Sequence, residues 1–531
     1  MSSDPLALKI IQDTERCSNK RTNWETQWRK IGKFFMPFKD DIFQTNQSGQ
    51  PKGHDLSDGT GVIANDFLAS ALHSMLTNPS TQWFELSSGD LSLDSRDDVR
   101  KYFQDTTRIM HEILTASNYH VEVHEMYLDI GSFGTGVMLM EEDDETIVRF
   151  RSTPIYTSYI KENYKGVVDT VYRTYKMTVD NILEVHGKEA FPSHISMEQL
   201  LKDSNRELEI IHAVYPRAEK DRNTKSLMPK DMKWASVHVI KEYKKVLKES
   251  GFTTFPYIIP RWSKISNEVY GRSPAMKALP DTQMIDAVMR VTLRGGEKLI
   301  DPPIQAPDDG MSLPIKNGPS GINYYRSGSP DRIEQMDIKS RPDFGFQLMD
   351  DVRMRIKQCF YIDQLQLIDG PQKTATEVMQ RREENLRILA PILGRQHNEN
   401  LKPTVVRLYD ICSKKPGILP VAPDVLKEKG FRVQYSSMIA RAQKTAEVEN
   451  LTRFFSVAAP IIQVDQSVLD NFNADEAFIY AANKYNLPQE LIRDESDRDK
   501  LREARAAAAQ KAEAQGDQTH MAEVVQKTAN A

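Results

Sequence analysis

Apolar residues recur at helical spacing through both ends of the chain and at a spacing of two through part of its middle, so the pattern alone separates helical from sheet-forming stretches. Near the start Trp24, Trp28, Ile31 and Phe35 fall on one helical face before Pro37 stops the pattern. A loop rich in Gly and Asp, 53–61, precedes a second helix on which Ile63, Phe67, Ala71 and Met75 share a face as far as Pro79. Trp83, Phe84 and Leu86 read as a short buried strand. Helices are predicted over 99–114 and 121–130, the latter running into Gly131, Gly134 and Gly136 and an apolar strand at 137–140. From there to Trp262 the period is two, in 146–151, 167–175, 208–215 and 234–240, with one helical insertion at 179–186.

Beyond Gly271 the pattern is helical again apart from one interruption. Two amphipathic stretches, 281–300 and 343–360, flank a connector crowded with Pro302, Pro303, Pro307, Gly310, Pro314, Gly318, Pro319, Gly321, Gly328 and Pro330. Unstructured loops of that length in compact domains are mostly functional or disordered, so helix, excursion, helix predicts a part that reaches out to touch a partner. In the first stretch Met284, Ile285, Val288 and Met289 make an apolar stripe. Gly295 and Gly296 interrupt it at about 1 kcal/mol each relative to Ala, which predicts close packing or a kink. In the second, Leu348, Met349, Val352, Ile356 and Phe360 line one face opposite Asp350, Arg353 and Lys357. Such narrow stripes do not make a core, so the pair is expected to pack on copies of itself. A polar loop, 363–373, leads to Thr374-Ala375-Thr376-Glu377, a capping box that starts a helix of about forty residues. Pro391 and Pro403 predict bends in it, and Pro416, Gly417 and Pro420 end it. The tail after Leu501, rich in Ala, Glu, Lys and Gln, has little apolar periodicity and is expected to need neighbours to order it.

With 531 residues and 39% hydrophobic content the chain has ample material for buried cores. Its formal charge of -5 gives no overall basic field, which disfavours tight indiscriminate DNA binding. Cys17, Cys359 and Cys412 lack paired spacing and are expected to be packing residues in a reducing compartment. No leader or membrane-length apolar run is found, so a soluble, intracellular protein is expected. Gly131-Ser132-Phe133-Gly134-Thr135-Gly136 lacks the lysine of a phosphate loop and follows a helix, which makes it a tight helix-to-strand turn. His120, His124 and Glu125 lack a third metal ligand, and the acidic run Glu141 to Glu145 reads as a solvated hairpin tip. No catalytic residue, metal or cofactor is expected.

The order of several short stretches is informative together: the Trp24 to Pro37 opening, Asp58 through Leu76 to Trp83-Phe84, Gly134-Thr135-Gly136, Gly271-Arg272-Ser273-Pro274 with Leu279-Pro280, and Pro302-Pro303. Thr374 to Glu377 with Arg381 to Glu384, Leu419-Pro420 and Ala440-Arg441-Ala442-Gln443 complete it. In this order the chain resembles the head-to-tail connector, or portal, proteins of short-tailed bacteriophages over nearly its whole length. The resemblance implies an α+β, predominantly α subunit of a ring, dodecameric in the family, at one capsid vertex. Its parts would be a mixed α/β wing (1–270), a stem helix (271–300), a clip (301–341), a second stem helix (342–362), a tunnel loop (363–373), a long kinked wing helix (374–439) and a helical crown (440–531). It further implies Arg290, Arg294, Lys298, Arg353 and Lys357 on the stem and channel, with Gln364, Gln366, Asp369, Gln372 and Lys373 on the loop facing duplex DNA. Pro302, Pro303, Tyr324, Tyr325 and Arg326 would lie on the adaptor-binding clip, and Thr374 and Glu377 would form the cap after the loop. Implied partners are copies of the chain, double-stranded DNA held without sequence specificity, tail adaptors, the terminase motor, and capsid and scaffolding proteins. Two other readings are another ring-forming tail component, an adaptor or nozzle, and a phage DNA-processing enzyme. The first lacks the paired stem helices, and the second needs a nucleotide or metal motif that is not found.

Overall fold

A computed structural model of the chain describes residues 4–42, 56–94, 96–192, 202–219, 222, 228–305, 322, 324, 334–336, 342–365, 388–426, 431–435, 452–454, 456–460, 473–484, 493 and 497–508. Its first half runs α1 (Pro5–Phe35), α2 (Thr60–Leu76), β1 (Phe84–Ser87), α3 (Asp97–Ala116), α4 (Tyr119–Phe133), β2 (Met138–Asp143), β3 (Ile147–Ser152), β4 (Ser158–Glu162) and β5 (Val168–Thr178). Next come α5 (Val179–His186), β6 (Glu207–Pro216), β7 (Trp234–Ile240), β8 (Lys245–Phe252), β9 (Tyr257–Ile258), α6 (Pro274–Ile300), β10 (Ile304–Gln305), β11 (Glu334–Gln335) and α7 (Pro342–Cys359). A π turn, His397–Leu401, leads into α8 (Lys402–Lys414), followed by β12 (Arg432–Tyr435) and α9 (Ala474–Lys484). Two compact units result, Met1–Thr77 with Leu114–Ile411 and Asn78–Ile113 with Cys412–Ala531.

In the larger unit, Pro5 at the first helical position and the Asp4 carboxylate, which accepts from the Leu6 amide at 3.0 Å, start α1. Ala7, Ile10, Ile11 and Cys17 on one stripe bury against a five-stranded antiparallel sheet ordered β4-β5-β6-β7-β8, meeting Tyr172, Ile211, Ala213, Ala235, Val237 and Val239. Strand alternation puts Leu208, Ile210 and Ile240 on the opposite face, under α5 and Phe191. His212 and His238, paired across β6 and β7, stack there with ring centroids 4.1 Å apart. His212 bonds the Tyr257 and Ser236 hydroxyls at 3.0 and 2.9 Å, and burial holds both imidazoles far below their ordinary range, His238 down to about 4. β4, β8 and β9 are absent from the periodicity reading. The first two are the edges of the sheet, where one neighbour suffices and apolar alternation weakens; Lys245, Lys248 and Glu249 on β8 are typical of an exposed edge.

Two expectations are corrected by packing. α2 forms where the spacing places it, but Ala64, Leu68, Ala69, Leu72 and Leu76 are its buried face, whereas Ile63 is 69% exposed. Gly131, without a side chain, lets α4 approach α2 so closely that a Cβ there would lie 2.2 Å from Asn65 Oδ1. α6 begins at Pro274, capped by the Ser273 hydroxyl, and carries Pro280 inside it rather than starting at 281. The bend foreseen at Pro403 takes the form of the π turn just before it: proline has no N–H for the carbonyl one turn back, and the Lys402 amide reaches back to His397 instead. The acidic run lies at the β2–β3 hairpin, where Asp143 accepts from the Thr146 amide and hydroxyl at 3.0 and 2.8 Å.

In the smaller unit β1 pairs antiparallel with β12, Phe84 opposite Tyr435. His111 of α3 stacks on Phe84 at 4.1 Å between centroids, and the Thr107 hydroxyl accepts from the Leu86 amide at 3.2 Å. Arg502 forks onto Asp475 at the start of α9, both bonds at 2.6 Å. The capping box at Thr374 and Glu377 and the stretch 440–451 lie outside the described residues.

Candidate functional site

α6 and α7 form an antiparallel pair whose burial changes sharply along its length. At the base α6 buries Ala275, Ala278, Leu279, Thr282, Ile285 and Asp286, and no residue of α6 after Asp286 is buried. Met349, Val352 and Ile356 of α7, and Phe360 just after it, are buried; Phe360 packs on Phe35 with centroids 5.6 Å apart. Farther out the two helices still meet: a Cβ on Gly345 would come 2.5 Å from Thr292 Oγ1. Of the two glycines where close packing or a kink was expected, Gly296 faces open space, and a close approach is found at Gly345.

At 100° per residue the exposed part of α6 sorts into three arcs. Ile285, Met289 and Thr292 face α7. Arg290, Arg294, Glu297 and Lys298 share a polar edge. Met284, Val288 and Val291 form a second apolar stripe flanking the face that meets α7, with Val291 69% exposed and Met284 37%. A helix with two separate apolar faces, only one of them covered by its own chain, has a place for a second neighbour.

The root of the pair is held by backbone contact and charge. Gly134, in the left-handed conformation that ends α4, lies so near Gly271 that a Cβ on either would come 2.2 Å from the other's carbonyl oxygen. Thr135 Oγ1 accepts from the Gly271 amide at 2.8 Å, and the Ser273 hydroxyl donates to the Ser132 carbonyl at 2.6 Å while accepting from Met276. The glycine-rich turn is therefore the seat of α6. Asp58, side chain 3% exposed, accepts from the Thr60 amide at 2.9 Å and from Arg353 at 3.1 and 2.8 Å. Burial would push this carboxyl up, but the bonds from Thr60 and Arg353 outweigh it and hold it below the usual carboxylate range. Asp286 accepts from the Ser57 amide at 2.7 Å and pairs with Arg290, so one loop ties α6 to α7.

Two buried guanidinium groups with no signal in the sequence brace this frame. Arg21, inside α1, donates to the carbonyls of Ile155, Ser158 and Tyr156 at 3.0, 2.9 and 2.6 Å and lies 3.8 Å from the Tyr159 ring centre. Arg261 joins Glu162, the carbonyls of Val269 and Gly166, and Glu399 in the π turn at 2.7 Å. Most of their partners are more than ninety residues away, and nothing local distinguishes them from surface arginines.

The expected site residues separate accordingly. Arg353 is drawn into the root and Arg290 is bound to Asp286, whereas Arg294, Lys298 and Lys357 are exposed along the pair. Pro302 and Pro303 lie where the connector leaves α6; there β10 pairs with β11, Ile304 opposite Gln335, so the excursion returns to its starting point. Tyr324 is 70% exposed. Gln364 lies on a short helical turn, Ile362–Leu365, after α7. Tyr325, Arg326, Gln366, Asp369, Gln372 and Lys373 lie outside the described residues. Among the described residues no group of three His, Cys, Asp or Glu is arranged to hold a metal ion, and no helix is long and apolar enough to cross a membrane. Cys17 and Cys412 are buried and Cys359 is partly buried, all without a disulfide.

Residues 7–492 match the family model described as bacteriophage head to tail connecting protein. The chain is 30% identical over 483 residues to the probable portal protein of Bordetella phage BPP-1, covering 89% of this chain and 86% of that one. It is 27% identical over 518 residues to the portal protein of Salmonella phage epsilon15, covering 95% and 92%. A chain from a solved structure titled the neck of an empty GTA particle, computed with C6 symmetry, is 9% identical with a TM-score of 0.36, over 74% of this chain and 86% of that one. That likeness is too slight to argue from.

Proposed function

This chain belongs to the bacteriophage head-to-tail connecting protein family, and from that premise we infer that it is a phage portal protein, a virion component that closes into a ring at one capsid vertex and forms the passage for DNA. The observation that carries the reading is the second apolar stripe of α6. Met284, Val288 and Val291 lie off the face that meets α7, and a neighbouring copy that covers them places the helix pairs side by side around an axis. In this reading residues 1–270 make the wing and 440–531 the crown.

We further propose that the polar edge with Arg294 and Lys298, together with Lys357, is turned to the channel, and that the segment 363–373 with Gln364, Gln366, Asp369, Gln372 and Lys373 touches the duplex backbone. A passage that DNA slides through in both directions is hindered by each cation fixed on a phosphate, and a subunit of formal charge -5 keeps that hindrance small. The excursion that begins at Pro302 and Pro303, with Tyr324, Tyr325 and Arg326, is the docking surface for tail adaptors and for the terminase motor. The reaction that drives packaging belongs to that motor, and we assign the chain no reaction of its own. Electron microscopy of the purified protein tests the reading. Rings with a central hole of about 20 Å or more, wide enough for a duplex, are expected; a monodisperse monomer at micromolar concentration would overturn it.

A further inference from the structure

One seam of the larger unit lies outside the helix pair and its root. His73, in the last turn of α2, faces His120 and His124, one turn apart on α4, with ring centroids 5.5 and 6.2 Å away. Nδ1 of His120 is buried without a partner, and Nε2 of His124 lies 3.5 Å from the Ser70 hydroxyl. Three imidazoles within this distance resist being charged together, because each added proton repels the others across a partly dry interface. The surrounding charges do little to offset that. Asp66 of α2, though coupled to the His124 charge, is exposed, while Glu125 and Asp129 of α4 are already engaged by Lys39 at 2.7 and 3.0 Å. Tyr119 and Tyr127, buried in the same helix, are pushed upward by burial and remain neutral.

We propose that His73, His120 and His124 form an acid-sensitive latch, which holds α2 on α4 while the rings are neutral and loosens it when they are protonated. The root of the helix pair feels the change. α2 begins at Thr60, whose amide is bound by the same Asp58 carboxylate that holds Arg353 of α7, so a loosened α2 slackens the seat of the pair. Burial and, for His73, the neighbouring imidazoles already favour the neutral state of His73 and His120, so the latch is closed at pH 7 and opens only as the pH falls below the ordinary imidazole range. The inference is independent of the ring, because every residue it uses lies within one subunit.

Hydrogen exchange read by mass spectrometry on the full chain, with EDTA present, provides the test. After correction for intrinsic exchange, peptides covering 61–76 and 119–133 are expected to lose at least ten-fold in protection between pH 7.5 and 5.5, while those in 5–21 change by less than two-fold. Replacing all three histidines, H73Q/H120Q/H124Q, is expected to abolish that difference. Should this variant melt early at pH 7.5, His73→Gln alone, which removes the ring common to both contacts, is expected to reduce it several-fold. Wild-type helices that keep their protection within two-fold at pH 5.5, or a His73→Gln chain that loses as much as wild type, would overturn the latch.

Discussion

Val291→Asp separates the stability of the subunit from the closure of the ring. Val291 is 69% exposed on α6 and lies off the face that meets α7, so within one chain the change costs no more than about 0.5 kcal/mol, as for most surface substitutions. Between copies the balance differs. Covering a valine side chain contributes about 1.5 kcal/mol, and enclosing an unpaired carboxylate in its place costs several more. Each interface is then weaker by roughly 3 to 5 kcal/mol, which lowers pairwise association by about 10² to 10³·⁵. Light scattering after size exclusion, with negative-stain microscopy, is expected to show rings for wild type and for Arg294→Gln on the polar edge. Val291→Asp is expected to give free subunits that melt within about 2 °C of wild-type monomer. Rings of Val291→Asp as abundant and as resistant to dilution as wild type would refute the assignment of this stripe to the neighbour contact.

Other outcomes follow from the root and the sheet. Gly271→Ala forces a methyl against the Gly134 carbonyl, backbone against backbone, and is expected to cost about 1 to 3 kcal/mol, read as a melting point lower by several degrees. Arg353→Met strips the buried Asp58 of its cation; since Arg353 is itself 32% exposed the loss is expected near 1 to 3 kcal/mol, with part of it recovered when Asp58→Asn is added, a coupling that a double-mutant cycle reads directly. For His238 the unfolded imidazole titrates near 6.5 and the folded one near 4, so between these values only the unfolded chain takes the proton and stability falls as the pH drops. The loss approaches about 3 kcal/mol by pH 4 and is absent above pH 7; denaturant midpoints across that window should flatten in His238→Gln.

Local pattern by itself determined a good deal of this protein. It determined the helices of the first hundred residues, four strands of the α/β region, and α5 at Val179–His186. It also marked the paired helices with an excursion between them, because a period of 3.6 or 2 needs only one chain segment and one buried side. The Gly134 turn was legible as a turn for the same reason: a left-handed helix end favours glycine whatever it packs against. Only the tertiary structure decided which face of α2 goes inside, because both the Ile63 and Phe67 side and the Leu68 and Leu72 side are apolar, and it is the second that meets Gly131 of α4. It also decided that Gly345 rather than Gly296 marks the close crossing of α6 and α7, and that Arg353 closes on Asp58 rather than remaining a free cation. Arg21, Arg261 and the His73 seam belong with these. The partners of the two arginines are mostly more than ninety residues distant, and His73 is some fifty residues from the histidines it meets. A polar side chain reveals whether it is buried only when the elements that satisfy or oppose its charge have been brought together.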